Sequence, residues 1–316
     1  MKRYVLIVLG VAAAIALCSV ALSLALDPYR IVHPLLGEFV FEPNSRVSKV
    51  NFLTHACAHY DSYFVGDSRS ATLSERDLPG VSGRRFYNLS TPADNITAID
   101  RRIRFLLERG CPISTLIVEE SIDVLLDTDE VNRYSLLLSE HPLVSGENWA
   151  AFYSRYFLSA QSLSTYFGAR RRDPVTHDIY FPDGHADYLW AMQDGSSFRL
   201  PRCGAPKFTA GERRLLPEKL SGYRELASLS ERYHFTAVVW IAPLNRWESG
   251  VLADPDIAEF ARRLRAIRGL TVVEPDWDSP MLSDFREWHD CGHFRRTLFD
   301  QLLAPAISKV LADRRP

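Results

Sequence analysis

The chain has 316 residues, 47% of them hydrophobic and 24% charged, with a formal net charge of -2 and a pI near 6.5. That is enough apolar material for one substantial α/β domain or two small ones, and it excludes a disordered or repetitive chain. With near-neutral charge and no Lys/Arg-rich patch interleaved with aromatics, the electrostatic basis for a nucleic-acid partner is missing.

After Lys2 and Arg3, no charged residue occurs from Tyr4 to Leu26; the next is Asp27. A helix of about 20 apolar residues crosses a bilayer. The competing reading is a cleaved signal peptide, with Ser23 and Ala25 as a small-x-small site, but its apolar region should run only about 7 to 15 residues. Residues 1–27 are therefore read as an uncleaved anchor. Lys2 and Arg3 hold its start in the cytoplasm, which puts the rest of the chain outside. In a bacterium this is a single pass of the inner membrane carrying a periplasmic or extracellular domain. Cys18 falls in the anchor, which leaves Cys57, Cys111, Cys203 and Cys291. Disulfides and four buried thiols both remain open. There is no C-x-x-C pair or tight His/Cys cluster, so neither zinc nor any other cofactor is expected.

Residues 28–58 read as a stalk broken by Pro and Gly, followed by the short helix "VSKVNFLTHACAH". From there short apolar runs alternate with amphipathic ones. "SYFVG" (62–66), "RFYNL" (85–89), "STLIVEE" (114–120), "FTAVVWIAP" (235–243) and "LTVVEP" (270–275) are predicted strands. Helical patterns cover 94–109, 210–233 and 254–268. Apolar strands linked by helices indicate a parallel sheet covered on both faces, hence one α/β domain over 59–316. Residues 127–209 break the alternation as a cap insertion, with an aromatic helical piece ("NWAAFYSRYFLSAQSLSTYF") and a Pro-Asp-Gly turn between "HDIYF" and "HADYLW". These aromatics either pack the cap or line a groove for a large ligand. Over 293–313, Phe294, Leu298, Leu302, Ala306 and Val310 form one helical stripe, with Pro305 as a kink.

Open parallel sheets carry function at the carboxyl ends of their strands. "YFVGDS" ends the first strand with Ser68, after a Gly66 that permits a tight turn and before polar residues able to start a helix whose N–H groups would hold an oxyanion. "DCGH", Asp290 to His293, lies between the last strand and the terminal helix. An Asp three residues before a His can fix its tautomer and leave the other nitrogen for a serine. Arg69 is a candidate for binding an anionic substrate group, with an ion pair to a nearby carboxylate as the alternative. Glu119 and Glu120 either orient substrate or point into solvent, and His289 suits a loop position.

In order and placement these blocks resemble the SGNH/GDSL hydrolase superfamily. More narrowly, the anchor, "YFVGDSRSA", "FYNLS" and "DCGHFRRTLFDQLL" are similar to bacterial membrane-anchored SGNH-like proteins, a group that includes relatives of alginate O-acetylation and teichoic acid D-alanyl transfer proteins. The resemblance implies a flavodoxin-like three-layer α/β/α sandwich with a five-stranded sheet in order 2-1-3-4-5. It makes Ser68 the nucleophile, His293 the base and Asp290 the orienting acid. The second block falls on "YNLS", so the backbone N–H of Ser90 replaces the usual glycine donor and Asn88 becomes structural. The Gly-x-Asn-Asp block is absent, since the third strand ends in "VEES", so the side-chain oxyanion donor is either missing or supplied from elsewhere, with Asn95 as the candidate. Oxyanion candidates are thus Ser68, Ser90 and Asn95. The implied sheet order also sets the first and third strands side by side, which brings Cys57 near Cys111 and leaves Cys203 to pair with Cys291. The implied activity is acyl-ester hydrolysis or O-acyl transfer on an acylated sugar or polysaccharide of the envelope, alongside other polysaccharide-modification proteins. The rival is a catalytically silent tethered scaffold or glycan-binding protein.

Overall fold

The computed structural model describes residues 2–39, 43–78, 83–125, 135–159, 164, 167, 178–188 and 203–313. Residues 127–134, 168–177 and 189–202 of the insertion, and most of the second half of its aromatic piece, therefore lie outside the described residues. The main sheet has five parallel strands: β2 (Ser62–Val65), β3 (Phe86–Asn88), β4 (Thr115–Glu120), β7 (Thr236–Ile241) and β8 (Thr271–Val273), in the order β3-β2-β4-β7-β8. In chain order this is second, first, third, fourth, fifth. Each strand sits within the run predicted for it, because Val, Ile, Phe and Tyr fit a pleated surface buried on both sides.

Successive side chains leave opposite faces of the sheet. Tyr63, Val65, Leu116, Val118 and Val239 join one apolar core, whereas Phe64, Ile117, Val238 and Trp240 join another. The first core is closed by α3 (Ile96–Glu108), α5 (Leu215–Tyr233) and α6 (Pro255–Arg265); the second is closed by α7 (Arg296–Leu302) and α8 (Ala304–Asp313). The single kinked terminal helix expected over 293–313 is two helices. The break falls at Leu303, and Pro305 sits in the first turn of α8, where its missing N–H costs no hydrogen bond.

The segment read as a stalk is built into the domain. α1 (Lys2–Leu26) ends at Asp27, whose carboxylate accepts from the amides of Ile31, Val32 and His33. Tyr29 and Ile31 then bury beside Phe152 and Tyr156. β1 (Gly37–Phe39) pairs with β5 (Asp178–Tyr180), which pairs with β6 (Ala186–Asp187) across the Pro-Asp-Gly turn noted in the sequence; the pairing of this hairpin with β1 had no sequence signal. α2 (Ser45–Ala56) places Val50 and Leu53 in the first core. It also carries Arg46 into a fully buried cluster in which Arg46 and Arg102 share the carboxylates of Asp94 and Glu140. Two disulfides are formed, Cys57–Cys111 and Cys203–Cys291, and Cys18 is free and exposed on α1.

α1 is long and apolar enough to cross a membrane, with mean hydropathy 2.8 over its best window.

Candidate active site

β2 ends at Val65, and the chain turns sharply through Gly66 into "DSRS". A Cβ on Gly66 would lie 2.4 Å from both Glu119 Cβ and Ser70 Oγ, so glycine is required by close approach of β4, not by a left-handed backbone. Residues 68–72 form turns and no helix. The oxyanion contribution expected from a helix start is therefore absent, and a single turn presents Ser68.

Glu119, at the end of β4, organises that turn from below. Its Oε2 accepts from the amides of Asp67 (3.0 Å) and Ser70 (3.1 Å), and Ser121 Oγ donates to Asp67 Oδ2 at 2.6 Å. Burial, then the adjacent Asp67 carboxylate, push the Glu119 carboxyl well above its usual range. Glu120 points to the other face, where Lys219 Nζ (2.6 Å) and Tyr223 Oη (2.5 Å) donate to it. Neither glutamate faces solvent.

Across the cleft, the loop before α7 brings up His293. Its Nε2 lies 2.8 Å from Ser68 Oγ, and its Nδ1 lies 2.9 and 2.8 Å from the two oxygens of Asp290. Asp290 Oδ1 also accepts the amides of Gly292 and His293, each at 2.8 Å, so its orientation is set by its own loop. Burial raises the Asp290 carboxyl, but the hydrogen bonds from His293 and from these amides outweigh it and hold the group below the ordinary carboxylate value. An ionised Asp290 keeps the imidazole proton on Nδ1, which leaves Nε2 as an acceptor for the serine hydroxyl.

The loop is itself clamped. Asn245, fully buried after β7, donates Nδ2 to the Cys291 carbonyl at 2.6 Å and to Glu248 Oε2 at 2.9 Å, while the Cys203–Cys291 disulfide ties the same residue laterally. Burial, then the carboxylates of Asp123 and Asp290, raise Glu248 to about 7.

The other sequence candidates fare differently. Arg69 lines the cleft beside Ser68, but its guanidinium is committed to a two-pronged ion pair with Asp123 at 2.8 and 2.7 Å and is 7% exposed, which favours the ion-pair alternative over binding of an anionic group. The Ser90 amide donates to Asn88 Oδ1 at 2.9 Å, and Ser90 is fully buried, so it is no oxyanion donor. Asn88 is structural, its Nδ2 spanning the carbonyls of Ser70 and Leu73. Asn95 caps α3 through Oδ1 and lines a small separate recess with Gly66 and Glu119. Of the three, only the Ser68 amide has no acceptor among the described residues. His289 lines the cleft, and burial, then Arg295, lower its ring to about 4, which keeps it neutral near pH 7.

Ser68 and His293 open onto a cleft of about 390 Å³ lined also by Thr72, Asp187, Tyr188 and Arg295. That volume lies in the range for small-ligand sites. Sequence reasoning missed Glu119, Asn245 and Asp123 as organisers of the site; the position of Glu119 at the end of β4 and of Asn245 in the loop just after β7 was the available signal. No family model matches the chain, and no curated protein matches it.

Proposed function

We propose that the chain is an extracytoplasmic serine acyl-ester hydrolase or O-acyltransferase with an SGNH-type, flavodoxin-like α/β sandwich, held to the bacterial inner membrane by α1. The observation that carries this reading is the unbroken relay from Ser68 Oγ to His293 Nε2 and from His293 Nδ1 to Asp290. A scaffold has no use for all three contacts at once, which weighs against a silent glycan-binding role.

In the reaction, His293 Nε2 takes the Ser68 proton as Oγ attacks the ester carbonyl carbon. The carbonyl electron pair becomes an oxyanion that accepts from the Ser68 amide. Collapse breaks the bond to the alkoxy oxygen, which leaves with the proton from His293, and the acyl group remains on Ser68. Water then regenerates the serine and releases an acid, whereas a sugar hydroxyl yields a new ester. Membrane tethering on an outward face favours an acylated envelope or exopolysaccharide substrate, with other polysaccharide-modification proteins as partners. The test is acyl release from an aryl acetate by the full chain in detergent, with and without an oligosaccharide acceptor. The expected result is release that is lost in Ser68→Ala and redirected to the sugar if transfer dominates. Glycan binding by folded protein with no ester turnover would favour the scaffold.

A further inference from the structure

α4 (Trp149–Phe157) has two dissimilar faces. Phe152 and Tyr156 turn inward onto Tyr29 and Ile31, the residues that immediately follow the anchor. Beside them, Trp149, Tyr153 and Phe157 stack at intervals of four, with ring centroids 5.8 and 5.6 Å apart and nearly parallel planes; Tyr153 and Phe157 are half-buried against the same cluster. Trp149 is 44% exposed and Leu158, at the end of the row, 62%. The buried side of α4 thus fixes the exit of α1, and the aromatic row beside it runs from that cluster out to solvent at Trp149.

The position of this row relative to α1 identifies what it meets. The last turns of α1 pack against α4, with Ser23 buried and Ser19, Val20 and Leu26 partly covered. The Asp27 carboxylate lies close enough to act on the Tyr153 phenol, which burial chiefly, and Asp27 in addition, push up. A 25-residue helix is roughly 37 Å long, at about 1.5 Å per residue. The hydrocarbon core it crosses is about 30 Å thick. The excess puts the end of α1, and α4 against it, at the depth of the lipid head groups. Trp and Tyr concentrate there because they join an apolar ring to a polar edge.

We propose that the Trp149–Tyr153–Phe157 row is a membrane-interface docking face that seats the domain on the same bilayer that α1 crosses. This rests on the reading of α1 as a retained anchor. The domain then has one fixed height and tilt over the membrane, set by α1 and this row together.

The test uses the full chain in vesicles whose phospholipid is brominated either near the head-group end of the acyl chains or near their tails. Wild-type tryptophan emission is expected to be quenched more strongly by the shallow bromines. α1 contains no Trp, so most of that shallow quenching should be lost in Trp149→Phe, an exposed and conservative change, while the protein still floats with the vesicles. Shallow quenching equal in wild type and Trp149→Phe, or absent from floating wild type, would overturn the docking face and leave the anchor standing. A Trp149 that is silent to bromolipid but shifts with added oligosaccharide would overturn it in favour of a sugar surface. A chain that does not float would overturn the anchor and the docking face together.

Discussion

At Gly66 the limit is space: a methyl group would press on Glu119 and Ser70, whose bonds hold the turn that presents Ser68. Gly66→Ala should therefore destabilise the protein by about 1–3 kcal/mol in urea unfolding and, by moving Ser68 off His293, remove ester turnover. An unchanged midpoint would show that the turn has room to spare. Asp290→Asn should fold normally yet lower turnover on the order of 10⁴-fold, since an amide there favours the wrong imidazole tautomer. Glu248 makes a pH prediction with a definite sign. Its folded-state pKa is raised from 4.5 to about 7, so the stability it contributes is present at pH values below its unfolded pKa and is lost as pH rises through about 7. Thermal melts of wild type should accordingly fall across that window more steeply than those of Glu248→Gln, which keeps an acceptor for Asn245 and removes the charge. Parallel curves would contradict this. Ser68, Asp290 and His293 were legible in the sequence because two short local blocks carry them. Glu119 and Asn245 were not, because their roles arise only when β4 and the loop after β7 come alongside those blocks.

Among elements, the loop 290–293 has no regular secondary structure of its own and is held by Asn245, by the Cys203–Cys291 bridge and by Asp290's bonds to its own amides. Asn245→Ala leaves the Cys291 carbonyl and Glu248 without their buried donor, a cost of about 1–3 kcal/mol. The expected kinetic signature is a fall in kcat greater than any rise in KM, because in the proposed reaction the loop positions the base and not the substrate. A change confined to KM would assign Asn245 to binding. The five sheet strands were readable from composition and spacing, since a strand buried on both faces is apolar throughout. In the small sheet the Pro-Asp-Gly turn between β5 and β6 was readable, but the pairing of residues 37–39 with the insertion was not, because strands this short carry no periodicity long enough to register. The turn after Ser68 was expected to begin a helix for the same kind of reason: polar residues after a glycine are compatible with either, and the contacts to Glu119 decide.

In the whole molecule, α1 and the segment read from the sequence as a stalk are packed onto the layers around the main sheet. The link is the buried cluster of Arg46, Arg102, Asp94 and Glu140, which joins α2 to α3 and to the start of the insertion. Removing one member of such a cluster leaves a buried charge uncompensated, so Arg46→Ala should cost about 3–5 kcal/mol, read as a lowered melting temperature of the full chain. A shift within error would show that water replaces the guanidinium. The predicted losses of turnover presuppose that Ser68 is activated by its neighbours. The most direct measurement is covalent labelling of the full chain with a fluorophosphonate probe, which reacts with an activated serine. The account predicts labelling of wild type that disappears in Ser68→Ala and in His293→Ala, with both variants folded. Folded wild type that takes no label, or His293→Ala that labels as fast as wild type, would contradict it.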